Sequence, residues 1–174
     1  MSFLDKLHDV NTFIFDVDGV LTDAFVRVEE DGSLLRSMNT TDGYAMKHAL
    51  RQGYQIFITT GGRSKGVIRC FLGLGIPEEN IFHSTLEKLD VLRQLVNNGK
   101  VSLENTAYMG DDIPDYAPMR LVLLATCPKD AAHEIKEVSQ YISPLEGGKG
   151  CVRDLIEKVL KVQGKWFDLD VVNL

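Results

Sequence analysis

Asp16 and Asp18 stand two residues apart at the end of an apolar run, Phe13-Ile14-Phe15-Asp16-Val17-Asp18-Gly19, and that spacing has chemical meaning. On an extended strand, residues i and i+2 face the same side, so both carboxylates can meet one ligand, while Gly19 permits a sharp exit. A divalent cation together with a phosphate would suit such a pair. The plainer alternative is an acidic turn closing an ordinary strand, and the pair alone does not separate the two. Other reactive residues follow other apolar runs: Thr60-Gly61-Gly62-Arg63 after Gln55 to Thr59, Gly110-Asp111-Asp112 after Thr106 to Met109, and Lys88 at a helix start before that latter run.

Together these residues permit phosphoryl transfer. The Asp16 carboxylate can attack phosphorus and form a covalent intermediate, dividing one difficult displacement into two easier ones. Magnesium held by Asp16, Asp111 and the backbone carbonyl of Asp18 would offset the repulsion between nucleophile and phosphate. The Asp18 side chain is then free to protonate the departing alkoxide and later to deprotonate water. Thr60, the Gly61 amide and Lys88 can hydrogen-bond the phosphoryl oxygens, where transition-state charge spreads. Asp112 can orient metal-bound water, and Asp115 can brace the loop. Each residue also has a structural alternative: Thr60 as a helix cap, Lys88 as a solvated surface lysine, and Asp111 to Asp115 as an acidic helix start. Their common placement at strand ends, in one order, favours the chemical reading.

The positioning elements follow from the pattern. Strand-like runs at Thr12 to Asp16, Gln55 to Thr59, Thr106 to Met109 and Leu121 to Ala125 alternate with helical periodicity at Tyr44 to Gln52, Ser64 to Leu74, Lys88 to Asn97 and Val152 to Val162. This predicts an α/β fold with a Rossmann-like parallel sheet flanked by helices, whose ligands sit at the carboxyl ends of the strands. Residues 24–38 break the rhythm and read as a hairpin turning at Asp31-Gly32. The gaps from Asp16 to Thr60 and from Thr60 to Lys88 are too short for a cap domain. An apolar hairpin bearing Phe25, Val26, Val28, Leu34 and Met38 is a liability in a monomer, so oligomerisation through it is expected. Trp166 to Leu174 reads as a short tail.

Composition bounds the function. A chain of 174 residues with 44% hydrophobic content suits one domain, 1–174. The net charge of -6 comes without a basic run, which argues against nucleic-acid binding. Cys70, Cys127 and Cys151 lack Cys-x-x-Cys spacing, so neither a disulfide framework nor a zinc site is expected and a reducing cytoplasm fits. No stretch approaches the roughly 20 apolar residues of a membrane span, and the N-terminus lacks a signal-like core, so a soluble, unprocessed protein is expected.

Asp16-x-Asp18, Thr60, Lys88 and Gly110-Asp111-Asp112 match the four motifs of the haloacid dehalogenase superfamily, which the chain resembles. Through Asp16-Val-Asp-Gly-Val-Leu-Thr-Asp23, Asn39-Thr-Thr-Asp-Gly-Tyr44 and Gly147-Gly-Lys-Gly-Cys-Val-Arg153 it is similar, from about Thr12 to Gly164, to the capless 3-deoxy-D-manno-octulosonate 8-phosphate phosphatases. The resemblance implies a magnesium-dependent phosphatase acting on a small phosphorylated sugar acid used in lipopolysaccharide assembly. It also implies a homotetramer whose hairpins assemble and whose neighbouring subunits help close each site. Asn39, Thr40, Thr41, Asp42, Gly43, Lys47 and Lys88 would contribute to the substrate site, with Asp18, Gly61, Arg63 and Arg69. The chain departs from the family where Gly62 replaces the usual Arg and Arg63 follows, where Thr41 replaces an Arg before Asp-Gly, and where His83-Ser84 replaces Gln-Gly. Those positions bear on the sugar rather than on phosphoryl chemistry. A nine-carbon ulosonic acid 9-phosphate is the alternative substrate.

Rival classes are separable. A signalling receiver domain needs its phosphoacceptor Asp at a central strand end between the first acids and the Thr, an order this chain lacks. A catalytically silent oligomerisation module would have no use for Asp16, Asp18, Thr60, Lys88 and Asp111 together. His83 stands without a second His nearby and reads as structural. Gly147-Gly148-Lys149-Gly150 lacks the Gly-x4-Gly-Lys-Ser/Thr spacing of a phosphate loop and reads as flexible closure beside the site, with Arg153 as its anchor.

Overall fold

A computed structural model describes residues 3–84 and 87–167. In chain order the regular elements are α1 (Phe3–Leu7), β1 (Thr12–Phe15), β2 (Arg27–Val28), β3 (Leu34–Leu35), α2 (Thr40–Arg51), β4 (Gln55–Thr59), α3 (Lys65–Leu74), β5 (Ile81–Phe82), α4 (Lys88–Asn97), β6 (Thr106–Met109), α5 (Ile113–Met119), β7 (Leu124–Cys127), α6 (His133–Val138), β8 (Tyr141–Ile142) and α7 (Cys151–Val162). Six strands form one parallel sheet in the order β5-β4-β1-β6-β7-β8.

Parallel strands must be covered on both faces, which is why β1 and β6 are buried throughout and carry few polar residues. Alternation along them sorts side chains to two cores. Phe13, Phe15, Ile56, Ile58, Ala107 and Met109 pack with α1, α2, α3 and α7 on one face. Ile14, Phe57, Tyr108 and Ala125 pack with α4, α5 and α6 on the other. Chain direction away from β1 reverses between β1 and β6, so their carboxyl ends open a crevice at the topological switch point.

The helices begin where capping residues allow. The Asn39 side chain accepts from the Thr41 amide at 2.9 Å and starts α2 four residues before the expected Tyr44. Ser64 caps α3, and Gly75, left-handed at φ 94°, ends it. The fourth core strand begins at Leu124 rather than Leu121, because the chain leaving α5 needs Leu121 to Leu123 to turn back toward the sheet. The short strands β5 and β8 and the short helices α1 and α6 carry too few residues to show a period.

Residues 24–38 contain the expected hairpin. β2 and β3 pair antiparallel, the Gly32 amide closes a turn on the Glu29 carbonyl, and Gly32 takes φ 81°. The hairpin is a separate two-stranded sheet carrying Phe25, Val28 and Leu35 exposed at 80%, 68% and 50%. Trp166 packs against Tyr44 and His48, while 168–174 of the expected tail lie outside the described residues.

Candidate active site

At the end of β1 the Asp16 amide still bonds across to the Met109 carbonyl at 3.1 Å, so the carboxylate leaves the sheet edge from a fixed backbone. Val17 to Leu21 then form one wide turn closed by the Thr22 amide on the Val17 carbonyl at 3.0 Å. Gly19 sits at φ 94°, and a Cβ there would overlap the Asp111 carboxylate. Glycine therefore permits both the sharp exit and the close approach of β1 and β6 loops.

Lys88, the first residue of α4, is buried and aims its Nζ at Asp16 Oδ1 (2.9 Å) and Asp115 Oδ1 (2.7 Å). It is not a surface lysine. Burial alone would lower its pKa, but Asp16 and Asp115 outweigh burial and hold it above the ordinary lysine value, as ammonium. Asp115 is fully engaged: its Oδ1 also accepts from Tyr108 Oη at 2.8 Å, and its Oδ2 accepts from the Asp111 amide at 3.3 Å. Tyr108 Oη in turn lies 3.1 Å from Thr59 Oγ1. The brace under the site is thus a buried chain of hydrogen bonds from β4 through β6 to α5.

Asp16, Asp111 and Asp115 can place a carboxylate oxygen each within 4.8 Å of one another. Burial and then the charge of Asp115 push Asp16 up to about 6, and burial and then Asp16 push Asp111 up to about 8. Asp111 Oδ1 is buried with no hydrogen-bond partner among the described residues. Crowded carboxylates with an unpartnered oxygen fit a hard divalent cation, and since Asp115 is committed to the brace, Asp16 and Asp111 are the side chains left to hold it.

Thr60 is buried, its amide donates to the Phe82 carbonyl at 2.8 Å, and its Oγ1 accepts from the Gly62 amide at 3.0 Å. It does not cap α3, a task that Ser64 performs. A cavity of about 350 Å³ gathers Asp16, Asp18, Thr60, Gly61, Lys88 and Asp111, with Asp112 and Asp115 at its side. Asp112 faces it while also capping α5 through the Ile113 amide at 2.8 Å. The arrangement offers a buried nucleophile, a cation, hydroxyl and amide donors and a second acid, the set that in-line displacement at phosphorus requires.

The remaining expected substrate residues lie elsewhere in the chain. Asn39, Thr40, Gly43 and Lys47 line a separate, largely apolar cavity of about 280 Å³ between α2 and α3. Thr41, Arg63 and Arg69 are exposed and line no part of the carboxylate cavity. Asp42 is buried under α7, where Oδ1 accepts from the Arg153 amide at 2.7 Å. His83 is exposed, its Nδ1 3.1 Å from Ser84 Oγ. The loop of Gly147 and Gly148 packs directly on the turn after Asp16, with the Gly148 amide donating to the Val20 carbonyl at 2.9 Å.

Sequence reasoning passed over Tyr108, Thr59 and Arg36. A hydroxyl inside an otherwise apolar strand is a signal, because a buried tyrosine needs a hydrogen-bond partner. Arg36 carries no comparable local mark, yet its Nε and Nη2 reach Asp18 Oδ1 and Oδ2 at 2.6 and 3.1 Å.

The fold and this cavity together define a phosphatase of the haloacid dehalogenase superfamily. No family model matches the chain. It is 32% identical over 162 residues to the 3-deoxy-D-manno-octulosonate 8-phosphate phosphatase KdsC of Salmonella typhi, covering 93% of this chain and 85% of that one. It is 31% identical to the Haemophilus influenzae KdsC over 160 residues, covering 92% and 88%. The crystal structure of the Moraxella catarrhalis 3-deoxy-D-manno-octulosonate 8-phosphate phosphatase in complex with magnesium, phosphate and KDO superposes with TM-score 0.88 at 29% identity, over 94% of this chain and 92% of that one. The cobalt-bound Haemophilus influenzae phosphatase gives TM-score 0.88 at 30% identity, over 95% and 97%. The chain belongs to the 3-deoxy-D-manno-octulosonate 8-phosphate phosphatase family.

Proposed function

We propose that this chain hydrolyses 3-deoxy-D-manno-octulosonate 8-phosphate to the free sugar acid and phosphate, using magnesium and an aspartyl-phosphate intermediate on Asp16. The observation that carries the reading is the buried Asp16 paired with Lys88 at 2.9 Å beside Asp111, whose Oδ1 lacks a partner among the described residues, at the switch point of the sheet.

An Asp16 oxygen attacks phosphorus while Lys88, the Thr60 hydroxyl and the Gly61 amide hold the phosphoryl oxygens. The Asp18 carboxyl donates a proton to the sugar oxygen as the P–O bond breaks, then takes one from the water that hydrolyses the acyl phosphate. Asp16, Asp111 and the Asp18 carbonyl, with Asp112 beside them, would hold magnesium, which would supply charge neutralisation and alignment of phosphate with nucleophile. Asp115 keeps Lys88 in place.

The sugar end of the site belongs to the assembly. Residues 1–174 act as one phosphatase domain, with 24–38 as its flap, in a cytoplasmic homotetramer; the free cysteines Cys70, Cys127 and Cys151 suit a reducing compartment. Asn39, Thr40, Thr41, Gly43, Lys47, Arg63 and Arg69 lie away from the carboxylate cavity of their own chain, which supports their acting on the sugar acid of a neighbouring site, whereas the buried Asp42 serves the packing of α2 on α7.

A magnesium-dependent phosphate-release screen tests this. Octulosonate 8-phosphate should be turned over far faster than nonulosonate 9-phosphates and simple sugar phosphates, and Asp16→Asn should lower turnover by about 10³-fold or more with the fold intact. Preference for a nonulosonate 9-phosphate would replace the eight-carbon assignment, and substantial residual Asp16→Asn activity would remove the nucleophile.

A further inference from the structure

Arg36 follows β3, and it reaches inward from a hairpin whose neighbouring residues Leu34 and Leu35 are 43% and 50% exposed. Its own side chain is only 8% exposed. The guanidinium grips Asp18 with both prongs, Nε to Oδ1 at 2.6 Å and Nη2 to Oδ2 at 3.1 Å. Thr22 Oγ1 adds a longer contact of 3.5 Å to Oδ1. A planar fork on a planar carboxylate fixes distance and tilt together, which a single donor cannot do.

The loop after β4 leaves room for this pair. A Cβ at Gly62 would stand 3.5 Å from Arg36 Nη2 and 3.6 Å from Asp18 Oδ2, so a longer side chain there would crowd the guanidinium. Asp18 is the more exposed of the acid pair: it sits in the wide turn, its side chain is 35% exposed against 10% for Asp16, and the ion pairs of Lys88 go to Asp16 and Asp115. Proton transfer needs this carboxyl held within hydrogen-bond reach of the leaving oxygen, and small misplacement is costly.

We propose that Arg36 is a positioning residue that holds the Asp18 carboxyl in line with the leaving group, so that the hairpin, through one side chain, sets the efficiency of proton transfer. This rests on the phosphatase reading above. It makes the hairpin a working part of the site as well as an apolar surface.

The test compares Arg36→Met, Arg36→Lys, Asp18→Asn and the Arg36→Met/Asp18→Asn double variant, in the full chain with magnesium. On the preferred sugar phosphate, Arg36→Met should lower kcat about 10- to 100-fold with KM nearly unchanged, and Arg36→Lys should restore only part of it. On p-nitrophenyl phosphate, whose phenolate departs without a proton, the Arg36→Met loss in the pre-steady-state burst of phenolate, which reports phosphorylation of Asp16 alone, should be no more than about threefold. The double variant should be no slower than Asp18→Asn alone, since Arg36 acts through Asp18. Equal Arg36→Met losses in the single-turnover phosphorylation step of both substrates, or a further loss in the double variant, would overturn the role. A crystal structure of Arg36→Met supplies an activity-independent check: the Asp18 carboxyl should leave its place or spread over rotamers, and finding it unmoved sinks the proposal. A wild-type protein that releases no phosphate from any substrate would instead discredit the phosphatase reading, leaving the rotamer result to decide for Arg36.

Discussion

Asp16 and Asp111 hold their protons at higher pH than free carboxyls do, near 6 and 8 against the ordinary value of about 4, chiefly because both are buried and then because acids face one another. A raised carboxyl pKa means that the folded chain binds the proton more tightly than the unfolded chain. The stability these groups contribute is therefore present below about pH 4 and is lost as pH rises through 6 and then 8. A cation displaces those protons, so its binding strengthens over the same interval. The melting-temperature increment caused by magnesium should accordingly be small near pH 5.5 and grow toward about pH 8.5, as read by scanning fluorimetry. Asp111→Asn should flatten the trend, and a pH-independent increment in the wild type would contradict the assignment of these carboxyls to the cation.

Asp42 shows why an acid in a recognisable motif need not serve the ligand directly. It lies in the first turn of α2, yet its Oδ1 accepts from the Arg153 amide at the start of α7 while Oδ2 is buried without a partner among the described residues. Burial, opposed by the Arg153 and Gly150 amides, pushes it up to about 6. It satisfies amides that the helix start leaves open and ties together two helices packed on the same sheet face. Asp42→Ala should therefore destabilise the protein by about 1–2 kcal/mol in urea melts, as loss of a capping carboxylate does, with KM for substrate nearly unchanged. A large KM increase without loss of stability would return Asp42 to the substrate site. The loop of Gly147 and Gly148 plays a related part, since a Cβ on Gly147 would overlap the Gly19 carbonyl. It clamps the turn that carries Asp18, which is more than flexible closure.

The sheet and its two cores form the frame of the fold, and the hairpin stands outside those cores with Phe25 and Val28 largely exposed. A two-stranded hairpin with an apolar face is marginal by itself in water, and its edges invite pairing. Burial of these side chains against other copies would remove both liabilities. Light scattering should give a tetramer for the wild type and a smaller species for Phe25→Asp/Val28→Glu, whose far-UV circular dichroism should change little because neither residue belongs to a core. A wild-type monomer at working concentration would contradict the assembly. The described residues contain no helix long and apolar enough to cross a membrane, so the apolar surface is not a helical span.

Much of this was legible along the chain because its causes are local. The apolar run ending in two acids placed Asp16 and Asp18 at one site, although the strand stops at Phe15 and Asp18 reaches the cavity from the turn rather than by period two; the order of Thr60, Lys88 and Asp111 followed from the alternation of strands and helices. Glycine and aspartate at Asp31-Gly32 marked the hairpin turn. What folding decided was every contact made between distant residues: Arg36 on Asp18, Asp42 under Arg153, and Lys88 and Tyr108 converging on Asp115. No period or turn propensity marks such pairs, because they form where helices and strands happen to pack together. Local spacing thus determined which groups could do phosphoryl chemistry, and packing decided which of them face the crevice, which brace it, and that the hairpin reaches Asp18 through one arginine.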